Sequence, residues 1–220
     1  MIEISTSILS VKEEDSVKTF YNLETAKTDY FHIDVMDGKF VENNTSKIMQ
    51  KYSEKIKQIS NIPLDVHLMV DDVNKYIEEY IPIAPSYITF HVEACKNKQD
   101  VFKCIEKIKK NNIKVGISLK PQTSIEEIYE FLPYIHLVLI MTVEPGKGGQ
   151  KLISYTLDKI KDIKKYIENN SLDTYIEADG GINLETAKDV INSGADILVS
   201  GSAIINADNY KKVIEKMRRI

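Results

Sequence analysis

The stretch YFHIDVMDGKFVEN, residues 30–43, carries His32 and Asp34 inside a run of β-formers, Tyr30, Phe31, Ile33 and Val35. Side chains alternate faces along a strand, so His32 and Asp34 point the same way. An imidazole beside a carboxylate in an apolar run has two uses: as a hydrogen-bonded core pair, or as part of a metal or acid/base site. Further polar residues fall late in other β-rich runs. Ser7 lies in IEISTSIL, His67 in PLDVHLMV, and Asp179 ends TYIEAD. Two histidines and two aspartates converging from separate strands suit a divalent ion such as Zn²⁺, Mn²⁺, Fe²⁺ or Co²⁺. Carboxylates buried without a positive partner are costly, and the runs that carry these residues hold no lysine or arginine. His91, late in FHVEAC, reads first as a structural residue, with joining such a site or bridging to it as the alternatives, and His136 opens its run and takes no role.

Glycines form a second constellation. EPGKGGQ (144–150), DGGIN (179–183) and GSAI (201–204) each follow a β-rich run and lead toward a helix. Loops of this kind present backbone N–H groups to a phosphate, or they are ordinary tight turns. Three of them together favour the phosphate, with Lys147 either adding a charge or pointing to solvent.

These residues need a frame. Eight β-rich runs cover 2–9, 30–35, 63–70, 86–92, 114–119, 136–143, 174–179 and 196–201. Stretches with apolar residues at three- and four-residue spacing separate them, among them DVNKYIEEYI, DVFKCIEKIKKN, SIEEIYEFL and SYTLDKIKDIKKYI. The pattern over 12–25 and 46–59 is more dilute. Strict alternation of eight strands and eight helices predicts parallel strands with helical crossovers, an α/β chain forming a single (β/α)8 TIM barrel over 1–220. A doubly wound sheet is the competing architecture, but no Gly-x-Gly-x-x-Gly follows the first strand. In a barrel the chemistry sits at the C-terminal ends of the strands, where the polar residues above fall.

Composition narrows the partners. Of 220 residues, 43% are hydrophobic and 28% charged, with a formal net charge of −4. That profile gives no reason to expect nucleic acid or an anionic membrane as a partner. No apolar run reaches the ~20 residues of a membrane span. Two cysteines, Cys95 and Cys104, and an N-terminus without a signal-like apolar core predict a reducing, cytoplasmic setting.

Taken together, SILS (7–10), FHIDVMDGKFV (31–41), LDVHLMV (64–70), FHVEAC (90–95), MTVEPGKGGQ (141–150), DGGIN (179–183) and SGADILVSGSAI (193–204) resemble the ribulose-5-phosphate 3-epimerase family along nearly the whole chain. The resemblance implies a metal-dependent isomerase of the pentose phosphate pathway that interconverts D-ribulose 5-phosphate and D-xylulose 5-phosphate. It implies that His32, Asp34, His67 and Asp179 bind one divalent metal ion, with Asp34 and Asp179 also the acid/base pair. Ser7 and His67 would approach the sugar, and Met36, Met69 and Met141 would lie over the reacting carbons. Gly146, Gly148 and Gly149 would hold the phosphate, with Gly180, Gly181, Gly201 and Ser202 nearby. The family forms homo-oligomers, dimers or hexamers. The chain departs from the usual pattern in FVENNTSKI, where Glu42 replaces a proline, and at Lys147, usually aromatic.

The implied chemistry is two-base proton transfer at C3 through a metal-stabilised enediolate. A single base tends to return the proton to the face it left, so inversion needs a group on each face. Two other readings stay open: an epimerase of another ketose phosphate such as allulose 6-phosphate, and a phosphosugar-binding barrel without turnover.

Overall fold

The protein, seen in a computed structural model, is described here over residues 2–220. Eight parallel strands close in sequence order into a barrel: β1 (Glu3–Ser7), β2 (Tyr30–Met36), β3 (Leu64–Met69), β4 (Tyr87–His91), β5 (Lys114–Leu119), β6 (Leu137–Met141), β7 (Tyr175–Asp179) and β8 (Ile197–Ser200). The expected barrel is therefore present, and each strand falls within its apolar run or extends it by one residue.

The helices are α1 (Ser16–Thr25), α2 (Ser46–Ile59), α3 (Val73–Tyr80), α4 (Lys98–Lys110), α5 (Thr156–Asn169), α6 (Ala187–Asn192), α7 (Ser202–Ile205) and α8 (Tyr210–Arg218). Helix α2 matches its expected span, and α1 is preceded by a 3₁₀ turn at Glu13–Asp15. Asp72 caps α3 by accepting from Lys75 N–H at 3.1 Å. None of the described helices is long and apolar enough to cross a membrane.

One crossover departs from expectation. SIEEIYEFL forms no α-helix; two 3₁₀ turns, Ile125–Ile128 and Leu132–Tyr134, join β5 to β6. Ile125, Ile128 and Phe131 are buried at a spacing of three, the period of a 3₁₀ helix, and Phe131 N–H bonds the Ile128 carbonyl. Pro133 then forbids a longer ladder. The count of eight helices is made up by two after β8, α7 and α8.

Alternation sorts each strand onto two faces. Phe31, Ile33 and Val35, with Leu64, Val66 and Leu68, Ile88 and Phe90, Val138 and Ile140, join the main core beneath the helices. Their neighbours at even spacing face the lumen instead. Those are Ser5 and Ser7, His32 and Asp34, Asp65 and His67, Thr89 and His91, Glu177 and Asp179. Tyr87, Leu137 and Ile197, with Tyr30, close the lower end in a separate apolar cluster. Leu139, Met141 and Val143 form another toward the top. Close packing inside the lumen explains Gly116: a Cβ there would stand 2.2 Å from Thr89 Oγ1.

Candidate active site

Register brings the polar residues together. Ser7 pairs with His32, Asp34 with His67, and Met141 with Asp179 across neighbouring strands. At the upper end of the lumen, one donor atom from each of His32, Asp34, His67 and Asp179 lies within 4.8 Å of the others. His32 Nε2 stands 3.4 Å from Asp34 Oδ1 and 3.7 Å from Asp179 Oδ2. His67 Nδ1 stands 3.5 and 3.6 Å from the same two oxygens.

These spacings discriminate between an ion pair and a metal site. Charge-assisted N–H···O bonds close to about 2.7–2.9 Å. Donors bound tetrahedrally at about 2.0–2.2 Å to a shared ion stand roughly 3.3–3.6 Å apart. Three of the four separations fall in that range and the fourth, His32 to Asp179, is 0.1 Å beyond it, so all lie nearer the second case. His32 Nε2 and His67 Nδ1 are, moreover, buried without a hydrogen-bond partner. Two imidazole nitrogens and two carboxylate oxygens, all aimed at one point, fit Zn²⁺, Fe²⁺, Mn²⁺ or Co²⁺ and could hold such an ion.

Three of the four cluster residues are braced from behind. Asp34 Oδ2 accepts from Ser7 Oγ at 2.7 Å. His32 Nδ1 lies 2.6 Å from Asp65 Oδ2, which also accepts from Ser5 Oγ at 2.8 Å. His67 Nε2 lies 3.0 Å from His91 Nε2, and His91 Nδ1 lies 3.1 Å from Glu93 Oε2. His91 thus touches His67 and gives no donor atom to the cluster of four. His136 stays outside the site: its Nδ1 accepts from Val115 N–H at 3.2 Å.

Burial and charge set the protonation preferences. Burial penalises the charged ring of His32, yet Asp65 and Asp34 outweigh it and hold its pKa well above the ordinary imidazole value. For Asp34 burial acts upward, but His32 and then His67 hold the carboxyl far below its usual range. His91 is carried down to about 4, mainly by burial, so the ring is neutral at neutral pH. Glu177, fully buried, is pushed well above the carboxylate range by burial and by Asp65.

Above the cluster opens a cavity of about 1020 Å³. Ser7, Asp34 and Asp179 reach it, as do Met36, Met69 and Met141. Its far wall contains Gly146, Lys147, Gly148 and Gly149 from the loop after β6. Gly180, Gly181, Gly201 and Ser202 line it from the loops after β7 and β8. Lys147 is exposed at the rim. His32 and His67 are fully buried and do not line the cavity, so they meet the cluster from below. Gly181 has φ +67° and stands where a Cβ would come within 2.4 Å of Leu152 N, so only glycine fits that turn.

Sequence reasoning does not single out Asp65, Glu93, Glu177 or Asn43. The first and third carry a readable signal, each lying two residues before a cluster residue and so on the same strand face. Asn43 donates from Nδ2 to the Gly146 carbonyl at 2.6 Å and ties the loop after β2 to the loop after β6.

The family model described as the ribulose-phosphate 3 epimerase family matches residues 3–205. A ribulose-phosphate 3-epimerase of Methanocaldococcus jannaschii is 39% identical over 218 residues, 99% of this chain and 90% of its own length. One of Bacillus subtilis (strain 168) is 39% identical over 219 residues, 99% of each chain. Among solved structures, 3-keto-L-gulonate-6-phosphate decarboxylase from Vibrio cholerae superposes with a TM-score of 0.73 at 12% identity, over 99% of this chain and 96% of that one. That likeness shows the barrel fold alone.

Proposed function

The chain belongs to the ribulose-phosphate 3 epimerase family, and from that premise we propose that it interconverts D-ribulose 5-phosphate and D-xylulose 5-phosphate by moving the proton on C3. The observation that carries this reading is that Asp34 and Asp179, from β2 and β7, both reach one cavity above two imidazoles. With the sugar lying between them, one carboxylate removes the proton from one face and the other returns it on the opposite face. Their roles exchange in the reverse direction.

Both groups need holding. Ser7 fixes Asp34 by its hydrogen bond, which leaves Oδ1 for the centre of the site. Even an aspartate of ordinary pKa, ~3.9, is a weak base toward a proton next to a carbonyl, and Asp34 is held below that by His32 and His67. His32, Asp34, His67 and Asp179 would hold one divalent ion, which when bound supplies Lewis-acid stabilisation of the negative charge developing on the sugar oxygens, worth several kcal/mol. Met36, Met69 and Met141 present apolar surface at the reacting carbons and keep water from reprotonating them.

The phosphate binds away from the chemistry. Backbone N–H groups around Gly146, Gly148, Gly149, Gly180, Gly181, Gly201 and Ser202 receive it, and Lys147 adds a positive charge at the rim. Anchoring that end holds C3 between the two carboxylates, so remote binding energy serves orientation. In this reading residues 1–220 act as one domain, in the cytoplasm, within a homo-oligomer.

The test is a coupled assay on ribulose 5-phosphate with metal-stripped protein and with Zn²⁺, Mn²⁺, Fe²⁺ or Co²⁺ returned. Metal-dependent formation of xylulose 5-phosphate is expected. Folded protein that stays inactive with every ion refutes this substrate, and turnover of allulose 6-phosphate in the same assay would reassign it.

A further inference from the structure

The two imidazoles of the cluster are supported differently. His32 rests directly on the Asp65 carboxylate. His67 rests on a second ring: its Nε2 faces His91 Nε2 at 3.0 Å, and only beyond His91 does a carboxylate follow, Glu93, at 3.1 Å from Nδ1. We propose that Glu93, acting through His91, is a positioning residue that fixes the tautomer of His67 and so presents a bare Nδ1 to the metal site. This rests on the reading of His32, Asp34, His67 and Asp179 as a metal site.

The direction of the chain follows from its outer end. Glu93 Oε1 accepts from Lys120 N–H at 2.7 Å and from the Thr123 hydroxyl. A carboxylate that accepts at one oxygen and faces a ring nitrogen at the other can only accept there too. His91 Nδ1 therefore carries its proton toward Glu93. The neutral ring then offers a lone pair at Nε2, so the facing Nε2 of His67 must be the donor. That leaves His67 Nδ1 open toward Asp34 and Asp179, 3.5 and 3.6 Å away. Reversing the chain would put an N–H where a ligand atom is needed.

The surroundings allow no substitute for these bonds. Both rings are fully buried. They lie 29° from parallel with centroids 5.1 Å apart, and the Phe40 ring packs against His91 with centroids 4.9 Å apart. Glu93 itself belongs to the 3₁₀ turn Val92–Ala94 that follows β4, outside the ligand strands. The loop that feeds it is pinned in turn, since Lys159 Nζ donates to the carbonyls of Lys120, Pro121 and Thr123.

Glu93→Gln tests the direction with almost no change of shape. Its carbonyl oxygen stays with Lys120 N–H, which cannot accept, so its NH₂ falls on His91 Nδ1 and the whole chain inverts. Co²⁺ titration, followed by visible absorption and chelator competition, should show a roughly ten- to hundredfold loss of affinity. Glu93→Asp, which keeps the acceptor, should recover part of it. A role confined to bracing the loop would lower the melting temperature of E93Q and leave Co²⁺ affinity alone. Imidazole ¹⁵N NMR on Zn²⁺-loaded protein reads the chain independently. Wild-type His91 should carry hydrogen on Nδ1, and E93Q should carry it on Nε2.

Hydrogen on Nε2 of His91 in the wild type overturns the proposal, whether or not the variant folds. Unchanged Co²⁺ affinity in E93Q, beside a wild type that binds, overturns the relay and spares the metal reading. A wild type that binds neither ion overturns both.

Discussion

Ser7 donates to Asp34 Oδ2 at 2.7 Å, across the seam between β1 and β2, and so turns Oδ1 toward both imidazoles. One carboxylate thereby has its two oxygens assigned to different tasks. Asp34→Asn places an amide in the same space, with no basic oxygen to take the proton. Turnover should fall below a tenth of wild type in D34N and in D179N, with far-UV circular dichroism unchanged. More residual rate than that in either variant, measured with metal present, would contradict the two-base assignment.

Removal of the metal should act on activity and on stability together. A strong chelator should abolish turnover, and Co²⁺ or Zn²⁺ should restore it. An ion that binds only the folded chain, at a hundred times its Kd, adds about 2.7 kcal/mol. For a chain of this size that is roughly 5–11 °C in Tm. Differential scanning calorimetry with and without ion checks it, and a Tm indifferent to the ion would argue against a site at the cluster.

Asp65 makes no contact with the cavity, yet it holds His32 at 2.6 Å and Ser5 at 2.8 Å. Asp65→Ala should weaken Co²⁺ binding roughly ten- to hundredfold, as loss of an outer-shell partner does. It also strands the buried Ser5 hydroxyl, a penalty of about 1–3 kcal/mol. Chelator competition and urea unfolding measure the two effects separately.

The bond from Asn43 to the Gly146 carbonyl joins two loops above the cavity rather than any reacting group. Its removal in Asn43→Ala should cost about 0.5–1.5 kcal/mol, or roughly 2- to 13-fold. The loss should appear in KM for the phosphate ester, with kcat nearly unchanged. A fall in kcat at constant KM would move Asn43 from loop closure to the chemical step.

Gly116 is a purely structural test. The added methyl of Gly116→Ala collides with Thr89 Oγ1 deep in the lumen. Overpacking of this kind costs about 1–3 kcal/mol, or roughly 2–12 °C in Tm for a chain of this size. Adding Thr89→Ala should recover part of the loss, because it removes the nearest atom.

The barrel and the four cluster residues were legible because a strand has a period of two. His32-x-Asp34 announces a polar face, and the apolar residues between them announce the opposite one. Asp65-x-His67 and Glu177-x-Asp179 repeat the signal, so their extra carboxylates were readable in principle. His91 is different. Its partnership with His67 depends on how β3 and β4 are staggered, which no single strand encodes, and its link to Glu93 depends on a turn beyond the strand. The β5–β6 crossover escaped for another reason: apolar residues spaced three apart satisfy both helical periods until Pro133 decides between them.

The split of each strand into a lumen face and a helix-packed face has a consequence for folding. Sliding β2 or β3 by one residue would send His32, Asp34, Asp65 and His67 into the hydrocarbon beneath the helices and turn Phe31, Ile33, Val66 and Leu68 inward. Such a misaligned barrel would strand ionisable groups away from any partner. The polar residues of the lumen face thus also proofread strand alignment, and a folded chain in the wrong register is excluded by the same groups that meet in the cluster in the right one.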